Sequence, residues 1–327
     1  VLSQPGPPQL VVVDDCSTDH SRAVLAGYAD RARLILQPVN RGHGGGFNAG
    51  FAQADGDLVM FLDADDFLLP GAAATIAANF EPGVAIYHYR MRYADEEGRL
   101  SGTFPPPELP LAPGDLSEQL RRTGRYPDTV TSGLVFSRGV LETVMPMDEE
   151  AFRQGADGYL SAVVPLYGPS RAFDETISAY RLHGAQHSRF RRAYAKRARW
   201  RMEHDRERLK AIRAHAARLG LPVADDLETR DILNLEERLV SLAFEPERHP
   251  EPGETPAAVI RRARALARRS PGRAADRVRA AWWSLAAIAP GPVLRTFLAW
   301  RIDPAARPVW LARAGRFVRT RLGVALK

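Results

Sequence analysis

Apolar and polar positions follow two textures along this chain. In the first half, short apolar runs alternate with stretches of helical spacing. Leu10-Val11-Val12-Val13, Arg33-Leu34-Ile35-Leu36 and Leu58-Val59-Met60-Phe61-Leu62 read as strands. Continuous apolar runs of this kind suit strands covered on both faces, as in a parallel sheet. Residues 21–30 and 47–54 read as helices between them, the first preceded by the capping types Ser17, Thr18 and Asp19. Strand, helix, strand, helix, strand predicts an α/β sheet with right-handed crossovers. A helix over 72–80, a strand over 84–89 and a Pro-rich surface loop over 104–115 follow. Next come a strand over 129–136 broken at Ser132-Gly133, a helical run over 159–164 and a strand over 176–180.

From residue 190 the spacing is that of long helices. Met202, Leu209, Ile212, Ala216 and Leu219 form one amphipathic stripe, and Ile232, Leu235, Leu239 and Leu242 another. Residues 250–256 read as a linker. Two further helices are expected over 256–269 and 273–289, stopped by Ser270-Pro271-Gly272 and Pro290-Gly291-Pro292. The chain therefore divides into an α/β domain, residues 1–188, and a helical, Arg-rich C-terminal region, residues 189–327.

Charge sharpens that division. Residues 1–189 carry 15 basic and 24 acidic side chains, and residues 190–327 carry 30 and 15. Such asymmetry points to two regions with different jobs. Only Lys196, Lys210 and Lys327 are lysines among the 45 basic residues. Cys16 is the one cysteine, so no internal disulfide forms. No run approaches the roughly 18 to 20 apolar residues of a membrane span, and no signal-peptide pattern opens the chain. The expected location is cytoplasmic, peripheral at the inner face of the membrane.

Acids gather where the strands end. Asp14-Asp15 follows the first strand, and Asp63-Ala64-Asp65-Asp66 follows the third. Ligands on α/β sheets sit at the carboxyl ends of strands. Clustered carboxylates repel one another unless a cation compensates, and hard divalent cations take oxygen ligands shared with phosphates. A metal–diphosphate site is the chemical reading, and a solvated acidic cap is the bland one. The glycines of Asn40-Arg41-Gly42-His43-Gly44-Gly45-Gly46 form neither a Walker pattern nor a dinucleotide fingerprint.

Taken in order, these motifs resemble the family-two glycosyltransferases, inverting enzymes of the GT-A fold. The pieces are Val12-Val13-Asp14-Asp15 with Ser17-Thr18-Asp19, Asn40-Arg41-Gly42 with Asn48-Ala49-Gly50, and Gly56-Asp57 leading to the Asp63-x-Asp65 pair. Thr131-Ser132-Gly133, the Asp157 region and Tyr180-Arg181-Leu182-His183 complete the set. The resemblance covers about residues 1–188. It implies a GT-A catalytic domain, Rossmann-like with a mostly parallel central sheet. It implies that Asp14 and Asp15 read the nucleotide, with Arg41 beside it. Asp65 is implied to bind a divalent Mn²⁺ or Mg²⁺, and Asp63 the ribose or the metal. Asp157 resembles the catalytic base, with Ala156 where relatives carry another acid. Arg181 and His183 resemble the element that closes over the diphosphate, His183 as a metal-binding imidazole. The implied donor is a nucleotide-diphospho-sugar. The implied acceptor is a glycan or lipid-linked hydroxyl, in cell-surface polysaccharide or glycoconjugate synthesis. Relatives begin with one more strand and helix, so the sequence reads as an N-terminally truncated version with the nucleotide pocket open on one side.

After residue 256 the chain carries 16 basic and two acidic residues, interleaved with Trp282, Trp283, Trp300, Trp310 and Phe317. An anionic membrane surface or a lipid-linked acceptor suits that pattern, and so do solvated arginine faces in an Arg-biased composition. No nucleic-acid module is recognised, and no nucleic-acid partner is expected. Two rivals stay open. A sugar nucleotidyltransferase would also place acids at a sheet edge, but with a basic Gly-rich loop at the first strand. A non-catalytic nucleotide-sugar-binding or scaffold protein would bind without turnover.

Overall fold

Val11-Val12-Val13 is a β-branched run, and it forms β1 (Val11–Asp14). β1 pairs in parallel with β2 (Arg33–Leu36), from Val11 opposite Arg33 to Asp14 opposite Leu36. The crossover between them contains α1 (Ser21–Ala26), and α2 (Gly42–Phe51) follows β2. The computed structural model describes residues 1–6, 8–183, 193–269, 274–303 and 306–308, with backbone alone for 269 and 274–280.

The remaining elements of the α/β region are β3 (Leu58–Met60), β4 (Phe67–Leu68), α3 (Ala72–Ala78), β5 (Ile86–Ala94), β6 (Leu100–Phe104) and α4 (Ser117–Thr123). After them come β7 (Leu134–Ser137), α5 (Arg138–Val144), α6 (Ala156–Val163) and β8 (Ser170–Arg181). They build a second sheet in the order β3-β7-β5-β8-β4, with β6 paired to the outer part of β5. The α/β class and the helical C-terminal region stand as expected. Pairing in this sheet is mixed where mostly parallel strands were expected. β5 and β8 are parallel, while β3–β7, β5–β7, β4–β8 and β5–β6 are antiparallel. For β5 and β6 the cause is local. Five residues, 95–99, join them, with Gly98 at φ +82° in the turn, and a connection that short permits only an antiparallel neighbour.

Side chains alternate across β5. Tyr87 and Tyr89 face a core with Val84, Ala72, Val135 and Ile177, while His88 points to the opposite face. The strand expected over 129–136 is in fact a 3₁₀ turn, Thr131–Gly133, leading into β7, and Ser132 and Gly133 are buried in it.

Two compact units make up the chain. One comprises Val1–His183 with Glu207–Val223, the other Gly184–Arg206 with Ala224–Lys327. The first thus takes in residues 207–223, the latter part of α7 (Tyr194–Arg218), which the division at 188/189 assigns to the helical region. Residues 184–188, the end of the stretch that the resemblance covers, lie outside the described residues. In the second unit α8 (Ile232–Phe244) is capped by Asp231, whose carboxylate accepts from Leu233 N at 2.9 Å. α9 (Pro256–Arg269), α10 (Ala274–Ile288) and α11 (Gly291–Ile302) complete it. Its core is built on Leu235, Leu239, Val259, Ala263, Trp283 and Leu298. Trp310 and Phe317 lie outside the described residues.

Candidate active site

The centre of the site is the turn that leaves β3. Phe61 anchors it by stacking on Phe47 of α2, ring centroids 3.9 Å apart, with Phe136 edge-on. Asp63 N donates to the Ser132 hydroxyl at 3.1 Å, and Asp66 N to Asp63 O at 3.0 Å, which folds the acids back on one another. Ligand oxygens of Asp63, Asp65 and Asp66 then lie within 4.8 Å of each other.

β4 follows at once, and its pairing with β8 sets Phe67 opposite Ala179. Carried two residues outward, that antiparallel register brings 181–183 beside 65–66. Arg181 N donates to Asp66 Oδ1 at 3.0 Å, and His183 Nε2 lies 2.9 Å from Asp65 Oδ2. The Arg181 guanidinium sits over the Phe67 ring, 5.3 Å from its centroid. Asp66 Oδ2 is buried and has no hydrogen-bond partner. Burial pushes the Asp66 carboxyl up to about 6. Bonds from Arg181 N–H and Ser132 pull the other way, and the charges of Asp65 and Asp63 add to the rise. Three carboxylates, one orphaned oxygen and an imidazole fit a hard divalent cation in donor type.

Asp157 stands in the first turn of α6, and its charge acts on His43. His43 connects α6 to the acid cluster. Its Nδ1 accepts from Ala156 N at 3.2 Å, which leaves the ring proton on Nε2, 3.5 Å from Asp63 Oδ1. Burial of the ring opposes its charge, but Asp63 and the charge of Asp157 outweigh it, and the His43 pKa is raised.

The glycines after Arg41 belong to α2, which begins at Gly42 and not at 47 as expected. Asp15 caps it with both oxygens, accepting from Arg41 N and Gly42 N at 2.7 Å each. The next amides reach a neighbouring loop, His43 N to Arg153 O at 2.8 Å and Gly44 N to Phe152 O at 3.0 Å. That approach needs glycine. A Cβ would lie 2.5 Å from Arg153 O at Gly42, where φ is +75°, and 2.8 Å from Phe152 O at Gly44.

The three residues implied to meet the nucleotide all have partners inside the protein. Asp14 is buried, accepting from Arg22 Nε at 2.5 Å and Ser17 N at 3.3 Å. The Ser17 hydrogen bond, then Arg22, hold its carboxyl below the usual range against the cost of burial. Asp15 is the cap just described. Arg41 makes a bidentate pair with Glu149, Nε to Oε2 at 2.8 Å, and Asn48 donates to the same carboxylate at 3.0 Å.

α7 holds α6 from behind. Arg208, buried, donates from Nε to Gly158 O at 3.1 Å, next to Asp157. His215 is buried between two tyrosines. Tyr159 OH gives its proton to Val144 O at 2.6 Å, so His215 Nε2 must donate to Tyr159 at 3.0 Å. His215 Nδ1 is then the acceptor for Tyr167 OH at 2.7 Å. Burial, with Arg218 nearby, lowers the His215 pKa to about 4 and keeps the ring neutral.

The structure therefore brings together Asp63, Asp65, His183 and the backbone of Arg181, with Asp157 across His43. Sequence reasoning named His43 only within the glycine-rich stretch, Asp66 only within the acid cluster and Ser132 only as part of a motif. Gly42-His43 immediately after a capping position was the signal for His43, since it sets that ring in the first helical turn. Nothing local marks Arg208 and His215, which reach α6 only through the fold.

Residues 1–145 match the family model described as glycosyl transferase family 2. The chain is 35% identical over 185 residues to an uncharacterized glycosyltransferase of Nostoc sp. strain PCC 7120, covering 54% of this chain and 56% of that one. It is 35% identical over 100 residues to the GalNAc(5)-diNAcBac-PP-undecaprenol beta-1,3-glucosyltransferase of Campylobacter jejuni, covering 29% and 32%. It thus spans about half the length of the first of these and about a third of the second. Among solved structures, Staphylococcus aureus TarS 1–349 in complex with UDP is similar at a TM-score of 0.47 and 14% identity, covering 90% of this chain and 82% of that one. Residues 1–145 thus carry a similarity to glycosyl transferase family 2.

Proposed function

We propose that this protein transfers a sugar from a nucleotide-diphospho-sugar to an acceptor hydroxyl, with inversion, in cell-surface polysaccharide or glycoconjugate synthesis. The observation that carries the reading is the acid cluster Asp63, Asp65 and Asp66 with its orphaned, buried oxygen beside His183. Those side chains would hold Mn²⁺ or Mg²⁺, which when bound neutralises charge on the leaving diphosphate. Asp157 takes the proton from the acceptor hydroxyl as that oxygen attacks the anomeric carbon. His43, hydrogen-bonded to Ala156 N, fixes the turn from which Asp157 projects. The acceptor is a glycan or lipid-linked glycan, and the protein works on the cytoplasmic side, peripheral to the inner face of the membrane.

The test is calorimetry and donor turnover with UDP- and GDP-sugars, with and without Mn²⁺. Metal-dependent donor binding is expected, and Asp157→Asn should cut turnover by about 10² to 10⁴-fold while leaving binding intact. Full turnover in Asp157→Asn would remove that residue from the mechanism. A second reading is donor binding without catalysis. Binding with no turnover across a donor and acceptor panel would favour it.

A further inference from the structure

The turn between α10 and α11 exposes a cluster of large aliphatic side chains. Ile288 is 79% exposed, Leu285 57% and Val293 41%. Single exposed hydrophobics are ordinary. Three within nine residues are less so, and here the fold forces them together. On α10, Trp283 and Ala286 face the helical core, so Leu285 and Ile288, three residues apart, share the outward side. Pro290-Gly291-Pro292 then turns the chain, and Val293 emerges in the first turn of α11. Beside them runs an apolar groove with Ile260, Ala286, Ala289 and Leu294 in its lining and Arg295 among them.

Arginines of α9 flank this surface on one side. Ile260 of α9 and Ala286 of α10 line one groove, so the first turns of α9 lie against the last turns of α10. α9 exposes Arg261, Arg262 and Arg268. Of these, Arg262 pairs with Glu254. The acids of the preceding connection are mostly engaged. Glu245 is held by Arg199, Glu251 by Arg206 and Glu254 by Arg238, which leaves Glu247 exposed. Beyond residue 256 the chain has 16 basic and two acidic residues.

We propose that the α10–α11 turn is a membrane-docking tip. Leu285, Ile288 and Val293 enter the acyl boundary of an anionic bilayer while the arginines of α9 meet its phosphates. The charge decides for lipid over a second copy of the chain, since two such surfaces face to face would set arginine against arginine. Among the described residues no helix is long and apolar enough to cross a membrane. The contact is interfacial, an apolar tip with a basic collar. It deepens the membrane-contact part of the proposed function, and vesicle binding reads it without turnover, so its failure would leave the donor chemistry standing.

The experiment is flotation of the full chain with vesicles of phosphatidylcholine containing 30% phosphatidylglycerol (about one anionic lipid in three), and with phosphatidylcholine alone. Binding to the anionic vesicles is expected to be at least about tenfold stronger and to weaken with salt. Leu285→Asp with Ile288→Asp should reduce it by about tenfold or more, with an unchanged circular dichroism melt, because both positions are solvated in the free protein. Arg261→Ser with Arg268→Ser should weaken binding to anionic vesicles and leave the neutral ones unaffected. The idea is overturned if the wild type floats with neither vesicle, or if the aspartate variant floats like the wild type. Sedimentation showing a lipid-free dimer that the aspartate variant abolishes would also overturn it.

Discussion

His88 lies near the middle of β5, fully buried, with neither ring nitrogen hydrogen-bonded and Tyr126 edge-on at 5.4 Å. Burial alone drives its pKa from the ordinary 6.5 to about 3. The folded protein therefore refuses a proton that the unfolded chain takes up below pH 6.5. Between pH 6.5 and 3 the unfolded state binds more protons, and stability falls as pH falls. Linkage puts the loss at about 2 kcal/mol by pH 5 and near zero at pH 7.5. His88→Leu removes the titration and replaces the ring with a side chain of similar volume. At pH 7.5 its effect should stay within about 1 kcal/mol, since releasing two unpartnered nitrogens offsets the lost contact with Tyr126. At pH 5 the variant should be about 2 kcal/mol more stable than the wild type. All five tryptophans lie at or beyond residue 200, so fluorescence would report the wrong region. Amide hydrogen exchange of β5 peptides, corrected for intrinsic rates at each pH, is the suitable assay. An equal loss of protection in wild type and variant, or a His88 NMR resonance titrating near 6.5, would refute the reasoning.

Asp66 titrates in the opposite sense. Its raised pKa gives stability that is fully present below the ordinary carboxylate range and is lost as pH rises through about 6. In metal-free buffer at pH 7.5, Asp66→Asn should therefore be about 1 to 2 kcal/mol more stable than wild type, and should lose any rise in melting temperature on adding Mn²⁺. A less stable variant would mean the acid cluster carries no strain. Gly133→Ala drives a Cβ to 2.8 Å from Tyr89 O, a backbone atom of β5, and should cost about 2 kcal/mol or more, whereas Gly46→Ala meets open space inside α2 and should gain up to about 1 kcal/mol. Thermal melts of the pair compare the two directly.

The sequence pattern made the β1, β2 and β3 region legible because each strand is a short apolar run, and β1 and β3 lead into acids. α9 and α10 were legible within a residue or so because proline and glycine punctuate them. β6 was missed. Leu100-Ser101-Gly102-Thr103-Phe104 has no apolar run, and it is a strand only because β5 offers an edge across a tight turn. α2 was placed five residues late, since glycines argue against a helix until Asp15 and the 152–153 carbonyls satisfy its first amides. At the site, Asp63, Asp65 and His183 followed from motif order. The partners of Asp14, Asp15 and Arg41 did not, because each is chosen by tertiary neighbours with no local signature.

The glycine-rich stretch has a consequence for how substitutions in this chain are tolerated. At positions 42 and 44 selection would act on the distance between two backbones. A saturation library there would reject every side chain as firmly as a phosphate-binding loop does, while position 46, two residues on, would accept most. Intolerance to mutation in this segment is thus a record of internal docking between α2 and the loop that leads into α6. Screens that equate such intolerance with substrate contact would mistake a seam of the scaffold for a binding site.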